Sequence, residues 1–584
     1  MPPSLDPRIR KFTVIAQDPA VREARRIVTA QVDVPVEVLA PGPRGYRVHV
    51  VDYDSTQNVL YRPAPIGLDL HQPDAYAHVS DDMLIADPKF HAQNVYALVM
   101  RVLARFELAL GRRVSWAFFG HQLQIAPHAF AEANAYYSRQ DHGLLFGYFL
   151  GRRRHTIFSC LSHDVVVHET THALLDGVRP RFTDPSLPDQ PAFHEGYADV
   201  VALLSVFSLR GVMECLLRTS IREQREKRRS RGVADPGPAD AVERSSVDAE
   251  WLKKSAVFRL ADEMGSELSE RRGKALRRSL DLTPSPGLLD SDEFQEPHRR
   301  GEVLVAAVLD AMAGAWARRL ADLTQGVSGA IAAPQIAEAG AEVADYLLTV
   351  VIRALDYCPP IDLFFGDFLS AILTAEHEIV RESSAGYGFQ ERLRESFSRW
   401  EIAPKSNWGK AGVWLPPEQE GGVKRLTFEG IHLESLQRDP DEVFRFLWEN
   451  RKALELHEGA YAKVLSVRPS VRVGRDGFVL RETVAEYMQM MDVSPADLRK
   501  FQVDAPKNMP RDARVRLYGG GTLIFDEFGG LKYHVHKRIS SPRQNRKVKH
   551  LWETGTLEQR KRIGFRPRDA GAPQFAALHR RRWA

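Results

Sequence analysis

The chain is poor in cysteine and has no long apolar run, and each shortage removes a class of protein. Only three cysteines, Cys160, Cys215 and Cys358, occur in 584 residues, with no paired spacing. That count argues against a disulfide framework and against a zinc site built from cysteines. The longest apolar run, VVALLSVFSL, falls short of the roughly 18 residues that suggest a membrane span. The opening MPPSLDPRIRKF lacks the apolar segment of a secretory signal. The expectation is an intracellular, cytoplasmic protein without membrane contact.

What is present is a folded composition, 44% hydrophobic and 27% charged, in a chain longer than one ordinary core. The net charge of +4 hides an asymmetry. Residues 535–584 hold 14 Lys/Arg against Glu553, Glu558 and Asp569, which is +11, so the preceding residues sum to −7. Such a tail can meet a polyanion or an acidic partner; its bland reading is a solvated terminus.

Several stretches follow from patterning. Residues 1–85 alternate short β-type runs (FTVIA, VPVEVLA, YRVHVVDYD) with Pro/Gly punctuation and read as strand-rich. DPKFHAQNVYALVMRVLARFELALG has helical spacing, Pro88 in its first turn and an end near Gly111. VSWAFFG, LQIAPHAF and GLLFGYFL read as strands, and Ile221 to Asp240 as an exposed charged excursion. Helical patterns dominate from Glu302 to about Glu401. An accessory α/β segment, 411–534, ends in TLIFDEFGGLKYHV, two strands around a Gly-Gly turn, before the basic tail of 535–584.

The chemistry concentrates in VVVHETTHALLDG, Val165 to Gly177. His168 and His172 are four apart, so on a helix both rings leave one face and can reach one zinc ion. Glu169 lies beside the first histidine, where a carboxylate can accept a proton from an activated water. A core helix ordinarily avoids such residues because each needs a buried partner. By chance alone the pattern H-E-x-x-H arises roughly 0.04 times in a chain of this composition. Further on, in FHEGYADVVALLSVF, Glu195 and Asp199 are again four apart. One of these carboxylates can complete the metal sphere, and the other can accept a ring N–H from a ligating histidine. His194 turns about 100° from Glu195 on a helix, away from that position.

These segments, DVVVHETTHALLDG followed by HEGYADVVALL, resemble the gluzincin metallopeptidases, most closely the thermolysin-like ones. The resemblance spans roughly residues 86–405. It implies an α+β fold, a two-lobed zincin core with its lobe boundary near residue 177 and the zinc helix at the cleft floor. It implies one zinc per chain held by His168, His172 and Glu195, with Glu169 as general base and Asp199 orienting a ligating histidine. Asp164 and Asp176 match acids that flank the family's motif. ANAYYSRQDHGLLFGYF resembles its substrate-aligning edge strand, which makes Asn134 and Ala135 substrate-binding. GKALRRSL resembles its G-x-A-L-R segment and makes Arg277 the holder of a substrate carbonyl. His298 occupies the place of the oxyanion-stabilising histidine, with Glu293 or Asp292 as its orienting acid.

The chain also departs from that family. Val206 stands where a calcium-binding glutamate is expected, which counts against calcium, and Phe182 lies near a catalytic tyrosine's place but cannot donate a hydrogen bond. The expected activity is hydrolysis of a peptide or protein substrate. Its competitors are a catalytically silent peptide- or partner-binding protein and a polyanion-binding protein acting through the tail.

Overall fold

The computed structural model describes the chain except residues 1–7, 20–21, 24–25, 67–73, 152–154, 231, 233–239, 259–281, 327–328, 383–386, 406–410, 418–425, 474–478 and 558–584, and the side chains of 381–382. The fold is mixed α+β.

The N-terminal part is strand-rich as expected. Strands β1 (Ile9–Ile15) and β2 (Thr29–Pro35) form an antiparallel pair. Strand β3 (Val48–Val50) instead joins a mixed five-stranded sheet with β4 (Leu123–Phe130), β5 (Ala135–Ser138), β6 (Gly143–Leu150) and β7 (Thr156–Phe158). Their order is β7-β6-β4-β3, with β5 antiparallel to β6. VSWAFFG forms no strand. Trp116 is buried there, its indole N–H donates to the His121 carbonyl, and the segment wraps the sheet instead of extending it.

Helix α1 (Pro88–Leu110) starts and stops where its signals lie. Asp87 caps it by accepting from the Lys89 amide, Pro88 fits the first turn, and Gly111 closes it in the left-handed region at φ 65°. Helices α2 (His163–Val178) and α3 (Asp189–Phe207) pack against each other and are buried almost throughout. Two threonines are tolerated inside α2 because Thr170 and Thr171 donate back to the Val166 and Val167 carbonyls at 2.6 and 2.7 Å. Helix α4 (Arg210–Ser230) carries the first half of the charged excursion as regular helix. Helices α5 (Pro297–Leu323), α6 (Ala333–Arg353), α7 (Phe365–Glu382) and α8 (Phe389–Arg399) supply the helical stretch.

The C-terminal part adds an antiparallel sheet in simple order, β8 (Tyr461–Val473), β9 (Val479–Val493), β10 (Val515–Phe525) and β11 (Leu531–Lys537). Residues 411–534 hold apolar clusters of their own, around Phe446 and around Leu498, and join the helical core's cluster through Val484, Ile524 and Tyr533. One expectation needs correction here: the basic segment does not begin as a tail, because β11 runs across the 534/535 boundary and helix α9 (Pro542–Glu553) follows it. Its cations serve the fold, with Lys537 on Asp367 at 2.5 Å, Lys547 on Asp362 at 2.5 Å, and Arg543 and Arg538 on Asp362 and Glu455. Residues 558–584 of the expected tail lie outside the described residues. No single helix among the described residues is long and apolar enough to cross a membrane.

Candidate metal centre

Helices α2 and α3 bring three donors together. The Nε2 atoms of His168 and His172 face each other at 2.9 Å, and Glu195 Oε2 lies 3.5 and 3.7 Å from them. All three residues are buried, and the group could hold a metal ion. The spacing fits one: N and O ligands about 2.0–2.1 Å from a tetrahedral ion stand about 3.3–3.4 Å apart. The backs of the rings are engaged. His168 Nδ1 donates to Asp199 Oδ1 at 2.7 Å, which turns Nε2 toward the group. His172 Nδ1 meets His194 Nδ1 at 2.7 Å. Burial, foremost, holds both His172 and His194 below the usual imidazole range. For Glu195 burial acts upward, but the His298 and His172 imidazoles outweigh it and hold the carboxyl well below its usual range.

Glu169 sits on α2 beside the donors, and its Oε2 accepts from the Tyr137 amide of β5 at 3.1 Å. One turn-pair further along the same face, Asp176 accepts from the Tyr137 hydroxyl at 3.0 Å and from Arg139 Nε at 2.7 Å. Thus β5 is fastened to the helix at both ends of one side chain. Among the described residues β5 pairs with β6 alone. Asn134 precedes this strand, fully buried, and Ala135 opens it opposite Phe146.

His298, in the first turn of α5, places Nε2 3.2 Å from Glu195 Oε2. Its orienting acid is neither Glu293 nor Asp292. Glu296 caps α5 by accepting from the Arg299 amide and holds His298 Nδ1 at 2.6 Å, while Glu293 bonds Arg299. The order Glu296-Pro297-His298, a cap, a first-turn proline and the histidine, carried that signal in the sequence. His194 and Tyr137 were also missed. His194 keeps clear of the donor group, as its helical angle required, yet it bonds the back of a donor ring. Tyr137 acts through its backbone, which no side-chain pattern reveals.

Of the other flanking positions, Asp164 is buried and accepts from Ser162 Oγ at 2.7 Å. Val206 and Phe182 are core residues, Phe182 edge-on to Phe193 at 5.7 Å. Arg277 lies outside the described residues. A cavity of about 660 Å³, lined in part by Phe364, Trp414, Lys537 and Arg546, touches none of the donor residues. The donor chemistry, not that cavity, locates the site. No protein-family model matches the chain, and no curated protein sequence matches it significantly.

Proposed function

We propose that the protein is a zinc-dependent peptidase of the gluzincin type, with a two-lobed, zincin-like core whose cleft runs along α2. The observation that carries this reading is the conjunction at one point of the His168, His172 and Glu195 donors and a carboxylate (Glu169) that is not among them, with β5 fastened beside it. An N₂O donor set with a histidine backed by carboxylate suits zinc. Zinc held by those three residues would supply Lewis acidity, lowering the pKa of a water toward about 7 and polarising a carbonyl.

The remaining chemistry belongs to the chain. A peptide can lie alongside β5, with Asn134 and Ala135 setting its register. Glu169 accepts the proton of the attacking water and returns it to the leaving amine. His298, protonated and held by Glu296, donates from Nε2 to the developing oxyanion. Arg277 keeps the carbonyl-holding role that its motif implies. A purely structural metal would have no use for Glu169. The substrate is a peptide or protein, the setting cytoplasmic, and calcium is not required. The polyanion reading is weakened by the acid partners of Lys537, Arg538, Arg543 and Lys547.

The test is digestion of a broad peptide library by wild type and Glu169→Gln at matched zinc loading. Glu169→Gln is expected to keep zinc and fold while cleaving about 10²–10⁴-fold more slowly. Equal rates, including two equal zeros, would favour the silent binding protein.

A further inference from the structure

A second group of potential ligands lies where α1, β4 and the turn before α2 meet. It comprises His91 on α1, His128 on β4 and Cys160 in the 3₁₀ turn Ser159–Leu161 that leads into α2. All three are buried, and their donor atoms lie within 4.8 Å of one another.

The hydrogen bonds behind the rings fix what the rings present to each other. His91 Nε2 meets the Ile85 carbonyl at 2.8 Å, and a carbonyl only accepts, so Nε2 carries the hydrogen. In the neutral ring Nδ1 is then a bare lone pair. His128 Nδ1 meets Asp52 Oδ2 at 2.8 Å, and a carboxylate likewise accepts, so Nε2 of the neutral ring is bare too. Yet His91 Nδ1 and His128 Nε2 face each other at 2.8 Å. Two lone pairs at that distance repel unless a cation lies between them. A proton on one of the rings would reconcile them, but the Cys160 sulfur converges on the same point. The Phe158 ring packs 4.7 and 5.3 Å from the two imidazoles.

We propose that His91, His128 and Cys160 form a second metal site, for a divalent ion of the zinc class that accepts thiolate, with Asp52 orienting His128. Two imidazoles and a sulfur are a donor set that suits zinc. Around such an ion the nitrogens stand about 3.3–3.4 Å apart and each about 3.6 Å from the sulfur. The rings therefore spread by a few tenths of an ångström and the sulfur closes in. Binding replaces the Cys160 S–H bond by a metal–sulfur bond and releases that proton to solvent, with any proton bridging the rings. The site's work is structural. Cys160 stands three residues before His163, the first residue of α2, so the ion fastens the start of that helix to α1 and β4.

The test is cobalt titration of the full-length protein after chelator treatment, read by thiolate-to-cobalt absorption in the near ultraviolet. The donors of the first centre are nitrogen and oxygen, so this band reports the second centre whether or not the first takes metal. Wild type is expected to show the band at one cobalt per chain. Cys160→Ser should lose the band and one equivalent of metal, whereas the double change His168→Ala, His172→Ala should keep the band. Asp52→Asn leaves all three ligands in place but loosens the hold on His128, and should weaken the cobalt affinity read by the band about 10–100-fold. Wild type without the band, Cys160→Ser with the band intact, or Asp52→Asn with unchanged affinity would overturn the proposal.

Discussion

Among single residues, the pairing of His298 with Glu296 fixes how the ring faces the donor group. Burial works against the Glu296 carboxylate, but the hydrogen bond and charge of His298 hold it below its usual range. The contact engages Nδ1 and turns Nε2 toward Glu195. His298→Ala is expected to slow cleavage about 10²–10³-fold. Glu296→Gln should slow it less, which kcat/KM of the two variants would reveal. His163, at the start of α2, makes a separate prediction. Burial, and secondarily the charge of Arg101, lower it to about 3. The unfolded chain therefore binds a proton near pH 6.5 that the folded chain refuses. Stability present above pH 6.5 is lost as pH falls from about 6.5 towards about 3, by about 1.4 kcal/mol per pH unit for this group. Denaturant midpoints between pH 7 and 5 should fall less steeply in His163→Gln than in wild type.

At the scale of elements, the crossing of α3 and α5 delivers His298 to Glu195. Gly196 and Gly301 meet there: a Cβ on Gly196 would lie 2.7 Å from the Gly301 carbonyl oxygen, and one on Gly301 would lie 2.9 Å from that of Ala192. Both obstacles are backbone, so the helices themselves must part. Gly301→Ala is expected to cost about 1–3 kcal/mol and also to weaken metal binding and cleavage, because Glu195 and His298 flank the contact. Unchanged zinc affinity and activity in a folded Gly301→Ala protein would show that the centre tolerates a looser crossing. Asp199, on the same helix as Glu195, positions His168, so Asp199→Asn should lower zinc affinity about 10–100-fold without abolishing binding.

Across the whole molecule, the C-terminal sheet braces the far end of the helix that carries the candidate donors. Arg179, just past α2 and wholly buried, pairs with Glu486 of β9 at 3.0 Å and donates to the Leu355 carbonyl at 2.8 Å. Arg468 of β8 reaches the Val178 carbonyl at 2.9 Å, and Thr522 of β10 donates to the Cys358 carbonyl at 2.8 Å. The Val471 amide bonds the Gly111 carbonyl at the end of α1. Removing Glu486 leaves a buried guanidinium uncompensated, so Glu486→Ala should cost about 3–5 kcal/mol. A chain ended at residue 410 should melt lower than the full chain and not behave as an autonomous peptidase core, as thermal unfolding of both would show.

The sequence by itself determined what short-range physics controls. Helical periodicity put His168 and His172 on one face of α2 with Glu169 beside the first, and Asp87, Pro88 and Gly111 bounded α1, because spacing and caps act within a few residues. The same spacing singled out Glu195 and Asp199 as a pair. Their separate positions, one among the donors and one behind His168, came from the packing of α3 on α2. Only the tertiary structure decided contacts between distant segments. Tyr137 reaches Glu169 through a backbone amide, which has no signature in residue type. Asp362 and Asp367 lie far in sequence from the lysines and arginine they neutralise, so the basic segment read as a free tail. His91, His128 and Cys160 are separated by 37 and 32 residues, a spacing that no local pattern marks, and they meet because α1, β4 and the turn before α2 pack around one core.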